Sequence, residues 1–510
     1  MEVFVYIMCA LISLLLISLI FLRESNGIVI PGPKGLPVIG CLFDFSIKSM
    51  HTKFMEYAGK YGDIVRINIL GNNLITLNSV ELVQKAFTDD RYKTHLNDRP
   101  STFIGKHVGY GNKGIVLTRD GNSTLHNELR KLFTRGFRVY GDGIKVFEDK
   151  VLHEIVNMKS QIKEFGDVEF DLVFVLRRSL SNLLSVFLSG EPINDCGDVD
   201  IFWDFSQTLA FMFTPKANAV YTLAPFMRFL PGIYRDNFQR ILAARERIHE
   251  KYLFRIKETH ERGKVRGYID FLLEEQANQL ETGNDVLLTD DTVKAMLQDM
   301  VPTGLITTLS TLSNLFLCLL NHPNCQRKAQ EELNKVVGNK RLPSLDDRRN
   351  CPFLEALVME TLRYLTTAPI GAPHVTERSL QFEGFIIPAK SNVFANLWYI
   401  HHDERIWGDP WTFRPERFLD EKGQLLERGH LFRKSLIPFG VGRRQCIGET
   451  FARSRIFLYT ASLLQQWTFV PSPGKVGTCD PRKGDFEIDT VIRKESLFCT
   501  VKGTDSKGHL

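Results

Sequence analysis

The sequence predicts a mainly α-helical chain with small β-sheets, preceded by a single N-terminal transmembrane helix. Three observations carry that prediction. Apolar residues recur with helical spacing through most of residues 144–365, short alternating apolar pieces are confined to residues 64–77 and 380–387, and residues 3–22 form one uncharged apolar run. Composition agrees with a folded chain: 44% of the 510 residues are hydrophobic and 24% charged, so a sizeable core is expected and disorder is not. With 64 Lys and Arg against 59 Asp and Glu, the net charge is only +5, and no basic stripe interleaved with aromatics marks a nucleic-acid groove.

The N-terminal run is long enough to cross the roughly 30 Å hydrocarbon layer. Glu2 precedes it and Arg23 follows, without the basic start, short apolar stretch and small-x-small end of a cleaved leader, so residues 1–22 read as an anchor. Arg23 and Lys34 on its C-terminal side place the remaining chain in the cytosol. The sequon Asn122-Ser123-Thr124 would then never meet the glycosyl transferase. Residues 23–40 are a linker with a stiff hinge, because Pro31, Pro33 and Pro37 fix φ and Gly32 and Gly35 favour turns. No repeat or low-complexity segment interrupts residues 41–502, which read as one domain, and residues 503–510 read as a tail.

Within the body, one helix should start near Thr289-Asp290-Asp291, where a capping hydroxyl and early acids suit a helix N-terminus, and end before His322-Pro323. Pro302 in its middle lacks the N–H that would bond the Gln298 carbonyl, so the helix should kink or open beside Gly304, Thr307 and Thr308. Nine cysteines at 9, 41, 196, 318, 325, 351, 446, 479 and 499 contain no C-x-x-C pair, which argues against a disulfide framework or zinc ribbon. Eight are read as small buried hydrophobes. Cys446 differs: it lies in Pro438-Phe439-Gly440-Val441-Gly442-Arg443-Arg444-Gln445-Cys446-Ile447-Gly448, at the entrance of an amphipathic helix running to about residue 466. There the helix dipole and Arg443 and Arg444 favour a thiolate, and the glycines let backbone approach a large planar ligand. His401 and His402 are adjacent, so their side chains diverge, and no third ligand stands nearby at metal spacing; a structural role is expected.

Phe439-x-x-Gly442-x-Arg444-x-Cys446-x-Gly448 resembles the haem-binding loop of the cytochrome P450 family. Two further motifs stand in the family's order, Glu360-x-x-Arg363 and Phe413-Arg414-Pro415-Glu416-Arg417-Phe418. The resemblance covers nearly the whole chain, and its anchor and hinge look like those of microsomal, endoplasmic-reticulum members. It implies haem b (iron protoporphyrin IX) held by Cys446 as the metal ligand, in a loop shaped by Phe439, Gly442 and Gly448. Arg99, Arg130, His374 and Arg444 would bind the haem propionates, with His126 where the family usually has Trp. Glu360, Arg363 and Arg417 would form a buried network. Thr303, Gly304 and Ile370 would line a substrate pocket together with residues 101–114, 205–213, 366–372 and 489–497.

By the same resemblance the chain would be a monooxygenase that inserts one oxygen atom from O2 into a lipophilic substrate: a steroid, a fatty acid or a xenobiotic. Electrons would come from NADPH through a separate cytochrome P450 reductase, with cytochrome b5 as a further donor, docking on a face that includes Arg130, Lys131, Arg135, Arg443 and Arg453. The family's oxygen-activation stretch is matched at Thr307, which would hydrogen-bond the oxygen being activated or its water, but the acid before it is replaced by Ile306. That departure keeps two alternatives open: a haem-thiolate isomerase or dehydratase needing no O2, and a haem-binding sensor without turnover.

Overall fold

The computed structural model describes residues 29–45, 49–138, 144–193, 196–283, 286–488 and 490–504; the anchor expected at residues 3–22 lies outside them. The architecture is mainly helical with small sheets. Its axis is the helix Asp290–Asn321, which begins where the sequence placed it: the Thr289 side chain accepts the Thr292 N–H, and Asp290 and Asp291 oppose the helix dipole. The helix continues through Pro302. From Leu305 onward nearly every side chain is buried, against the helices Leu172–Ser189, Cys196–Phe213, Pro352–Tyr364 and Glu449–Gln466. The first of these and the axial helix are apolar and long enough to span a bilayer, yet 72% and 83% of their apolar windows are buried inside the chain, so core packing accounts for their composition.

The alternating apolar pieces of residues 64–77 form a hairpin, Ile64–Ile69 and Asn72–Leu77, because Leu70 and Gly71 both adopt positive φ in the turn that matches strand twist. The same device, at Glu383 and Gly384, splits residues 380–387 into Leu380–Phe382 and Phe385–Ile387. Asn72–Leu77 pairs in parallel with Asn392–Ala395, and the strand His374–Val375 closes that four-stranded sheet. Val375 N donates to the Asp98 carbonyl at 3.0 Å, and this edge contact brings His374 beside Arg99 from far away in sequence.

The stretch expected as a stiff hinge is tied to the sheet: Arg66 N donates to the Pro31 carbonyl at 2.9 Å, Gly40 bridges to Ile69, and Ile30 is buried in the core. Pro37 starts a turn closed by the bridge between Leu36 and Gly40, and the stretch lies along the edge strand Ile64–Ile69. The ordered body also runs past residue 502, since Gly503 pairs with Trp467 and Thr504 N donates to the Gln466 carbonyl.

Candidate active site

The loop before the helix Glu449–Gln466 is held by its own backbone. Gly440 N donates to the Ile437 carbonyl at 3.0 Å, Gln445 N to Gly442 at 3.1 Å, and Cys446 N to Phe439 at 2.9 Å. Gly440 and Gly442 both need positive φ, and a Cβ on Gly442 would stand 2.2 Å from the Phe87 carbonyl oxygen, so no other residue fits there. The result presents one sulfur: among the seven described cysteines Cys446 alone is exposed. Burial pushes the thiol above its ordinary value and Glu449 adds to that, while the Gly448 N–H, Arg130 and Arg455 pull it back. Arg443 is engaged by Asn127 Oδ1, and Arg444 donates to the Asn97 carbonyl at 2.7 Å rather than facing the sulfur. The site therefore needs a cation on the sulfur to hold a thiolate, which is what a bound metal supplies.

Around this loop stand three arginines and two histidines. Arg99 Nη1 donates to the Ala372 and Pro373 carbonyls at 3.0 and 2.7 Å, and Arg130 Nη1 to Gln445 at 3.1 Å. His374 Nδ1 donates to the Leu96 carbonyl, its ring stacked on Phe87 at 4.0 Å. All these bonds go to neutral carbonyls. Burial and the neighbouring Arg444 lower Arg99 to about 9; burial, Arg444 and Arg130 lower His126 to about 3; burial lowers Arg444 to about 10, with Asp98 opposing. Arg99 Nε and His126 Nδ1 are buried without a hydrogen-bond partner. Arginines that repel one another, and buried N–H groups without an acceptor, are relieved by anions placed between them, so these residues fit the two carboxylates of a haem.

On the axial helix Thr303 and Thr307, one turn apart, share a face. Thr303 Oγ1 donates to the Asp299 carbonyl at 2.6 Å and Thr307 Oγ1 to the Thr303 carbonyl at 2.8 Å. Gly304, expected in the substrate pocket, lies a 100° step away, and its missing Cβ would face Leu184 Cδ1 at 3.5 Å. Ile370 is half-buried and packs against the cluster containing Phe54 and Phe394. Ile306 is buried.

The sequence reading passed over Asp299, although its i, i+4, i+8 spacing with Thr303 and Thr307 was the available signal. Its Oδ2 accepts the Val116 N–H at 2.8 Å, and a Cβ on Gly114 would stand 2.3 Å from that oxygen, so the 114–116 loop is pinned tightly to the helix. Enclosure raises this carboxyl from 3.8 to about 7, against the opposing bonds from Val116 and Ile115. The folded chain thus keeps a proton that the unfolded chain releases, and the stabilisation it provides is lost as pH rises through about 7. Asp299→Asn should flatten this slope: between about pH 4 and pH 7 the variant's urea midpoint should fall less with rising pH than the parent's.

Beneath the loop, Arg363 Nε and Nη2 donate to Glu360 Oε2 and Oε1 at 2.7 and 2.8 Å, and Arg417 Nε reaches Oε1 at 3.2 Å, all three side chains at 0% exposure. Arg363 Nη1 also donates to the carbonyls of His401 and Pro410, and Arg417 to those of Trp407, Asp409 and Thr412. His401 Nε2 accepts the Ile437 N–H at 3.2 Å, which ties this network to the start of the cysteine loop. His402 is held by the Trp398 and Tyr364 carbonyls, so both histidines serve packing.

A family model described as Cytochrome P450 matches residues 30–492. Cytochrome P450 1A1 of Rattus norvegicus is 30% identical over 465 residues, covering 89% of this chain and 87% of that protein. The Vitamin D(3) 25-hydroxylase of Sus scrofa is 27% identical over 457 residues, 87% of this chain and 88% of its own. Cytochrome P450 2D14 of Bos taurus is 28% identical over 453 residues, with the same two coverages.

Proposed function

The chain belongs to the cytochrome P450 family, and on that footing we propose that it oxygenates a lipophilic small molecule with electrons relayed from NADPH by a separate membrane reductase. It is a monooxygenase, an oxidoreductase, and its cofactor is haem b. The observation that carries the assignment of residues is Cys446, the one exposed cysteine among the seven whose side chains are described, set within a ring of Arg and His whose hydrogen bonds go only to neutral partners. Bound haem supplies the reductive activation of dioxygen. Cys446 would ligate the iron, Phe439, Gly442 and Gly448 would shape its loop, and Arg99, His126, Arg130, His374 and Arg444 would hold the carboxylates.

Thr307 has the task of placing a proton. Its hydroxyl hydrogen is taken by the Thr303 carbonyl, so its free lone pairs accept a hydrogen bond from water in the cavity. Ile306 offers no proton, so delivery runs through water along the Asp299–Thr303–Thr307 face. Thr307→Ala should lower product formed per NADPH consumed by about 10²-fold, the low end of proton-relay effects. Unchanged product yield would remove Thr307 from the mechanism.

A lipophilic substrate class is supported by one relative's name, a vitamin D(3) hydroxylase. Endoplasmic-reticulum attachment with the body in the cytosol is supported by the apolar run at residues 3–22 and by exposed Leu223, Phe226, Phe229, Leu230 and Ile233, an apolar stretch that suits a lipid interface. For the reductase face, Lys131, Arg135 and Arg453 pair with Glu128, Glu275 and Glu449, which reduces the free positive charge there. The absence of an acid at 306 favours the isomerase or dehydratase as the second reading. The deciding experiment adds reductase, NADPH and oxygen to the holoprotein: coupled product supports oxygenation, and peroxide rearrangement without reductase supports the rival.

A further inference from the structure

We propose that Arg455 is a positioning residue of this active site: it clamps the cysteine-bearing helix to the pocket helix at Gly304 and Thr308 and sets a fixed positive charge behind Thr307. The inference rests on the monooxygenase reading and adds to it a residue outside the family motifs quoted above. Arg455 lies in the second turn of the helix Glu449–Gln466. Its Nη1 donates to the Gly304 carbonyl and its Nη2 to Thr308 Oγ1, both at 3.0 Å. These acceptors are one helical turn apart, so the planar fork spans both, two residues beyond the point where Pro302 interrupts the hydrogen-bond ladder. Held from outside, Thr308 cannot rotate, and its neighbour Thr307 stays on the face that carries Thr303.

The charge is as informative as the bonds. Arg453, two residues earlier, is paired with Glu449 one turn back. Arg455 has Phe451 and Tyr459 at those positions, its Nε is buried without a partner, and the groups that favour its charged form are Tyr459 and Cys446 rather than any carboxylate. A guanidinium buried without a carboxylate is costly, and a role confined to packing would be served by a neutral chain of the same length. What gains from a cation here is an anion on the sulfur side, a thiolate that becomes more electron-rich on reduction.

The test uses purified holoprotein carrying Arg455→Met, which keeps length and drops charge, Arg455→Lys, which keeps charge and drops the fork, and Thr308→Val, which removes one acceptor. Spectroelectrochemistry reads the reduction potential, and the ratio of product to NADPH reads coupling. Arg455→Met should shift the potential negative and lower coupling severalfold. Arg455→Lys should restore the potential but not the coupling, and Thr308→Val should lower coupling at parental potential. A parental potential in Arg455→Met, or equal losses in the Met and Lys variants, overturns the charge role; unchanged coupling in Thr308→Val overturns the clamp. Should Arg455→Met fail to retain haem, Arg455→Gln, neutral but able to keep one hydrogen bond, reads the charge in its place, a parental potential overturning the charge role, and Thr308→Val still reads the clamp. If the parent shows a potential but no oxygenation, the function reading fails while the potentials still test Arg455.

Discussion

Cys446→Ser leaves a folded chain that no longer carries haem through sulfur. The loop survives because its bonds are main-chain, from Cys446 N to Phe439 and from Gln445 N to Gly442, and because the side chain is exposed rather than packed in the core. Serine's hydroxyl is a far poorer donor to iron than a thiolate, and it lacks the electron push that promotes O–O cleavage. Turnover should fall to the background of the assay, and the Soret band of the reduced carbon-monoxide complex should lose its thiolate position, while far-UV circular dichroism stays that of the parent. A variant with the parent's Soret band and turnover would overturn the assignment of Cys446 as ligand.

Glu360→Ala should be the most damaging single change to stability away from the cofactor. Glu360 is the one carboxylate in contact with both Arg363 and Arg417, and all three side chains are fully buried. Removing it leaves Arg363 without a carboxylate partner among the described residues and Arg417 with only the partly exposed Asp409, and breaking a buried pair in this way costs about 3–5 kcal/mol. Against a total stability of about 5–15 kcal/mol, that is enough to deplete the folded holoprotein. The damage should also reach the haem, because Arg363 holds the His401 carbonyl and His401 holds Ile437 at the root of the cysteine loop. Urea unfolding and haem content of the purified variant measure both effects. Glu360→Gln, which keeps acceptor oxygen, should lose less. Arg327→Ala, which breaks an exposed pair with Glu331, should leave both readings unchanged. Equal loss in Glu360→Ala and Arg327→Ala would remove the network from any structural role.

The sequence-level expectations succeeded where the signal is local. The cap at Thr289, the start of the axial helix, and the glycines of the cysteine loop are each set by residues within a turn of one another, so their chemistry can be read in order along the chain. The hairpins show the limit of that reading. Alternation over residues 64–77 marked the strands, but the reversal is set by positive φ at Leu70, a residue type that announces no turn. The hinge shows the same limit: its prolines and glycines mark a stiff turn-forming stretch, and only the donor at Arg66, in the first strand, decides what it packs against.

Sequence alone determined the family, through five fixed positions around Cys446 and two motifs in order, and it determined that Thr307 lacks an acid neighbour. Tertiary structure alone decided the electrical state of the site. Arg99, His126, Arg130, His374 and Arg444 become one set of donors only when distant segments meet, and burial pushes the Cys446 thiol up while Arg130, far along the chain, and Arg455, in the helix that follows, pull it back. Asp299 and Arg455 likewise acquire meaning only from partners far along the chain, at Val116 and at Gly304 and Thr308. The reason is physical: propensity and capping act over a few bonds, whereas desolvation and Coulomb interaction act over distances in space that chain order does not encode.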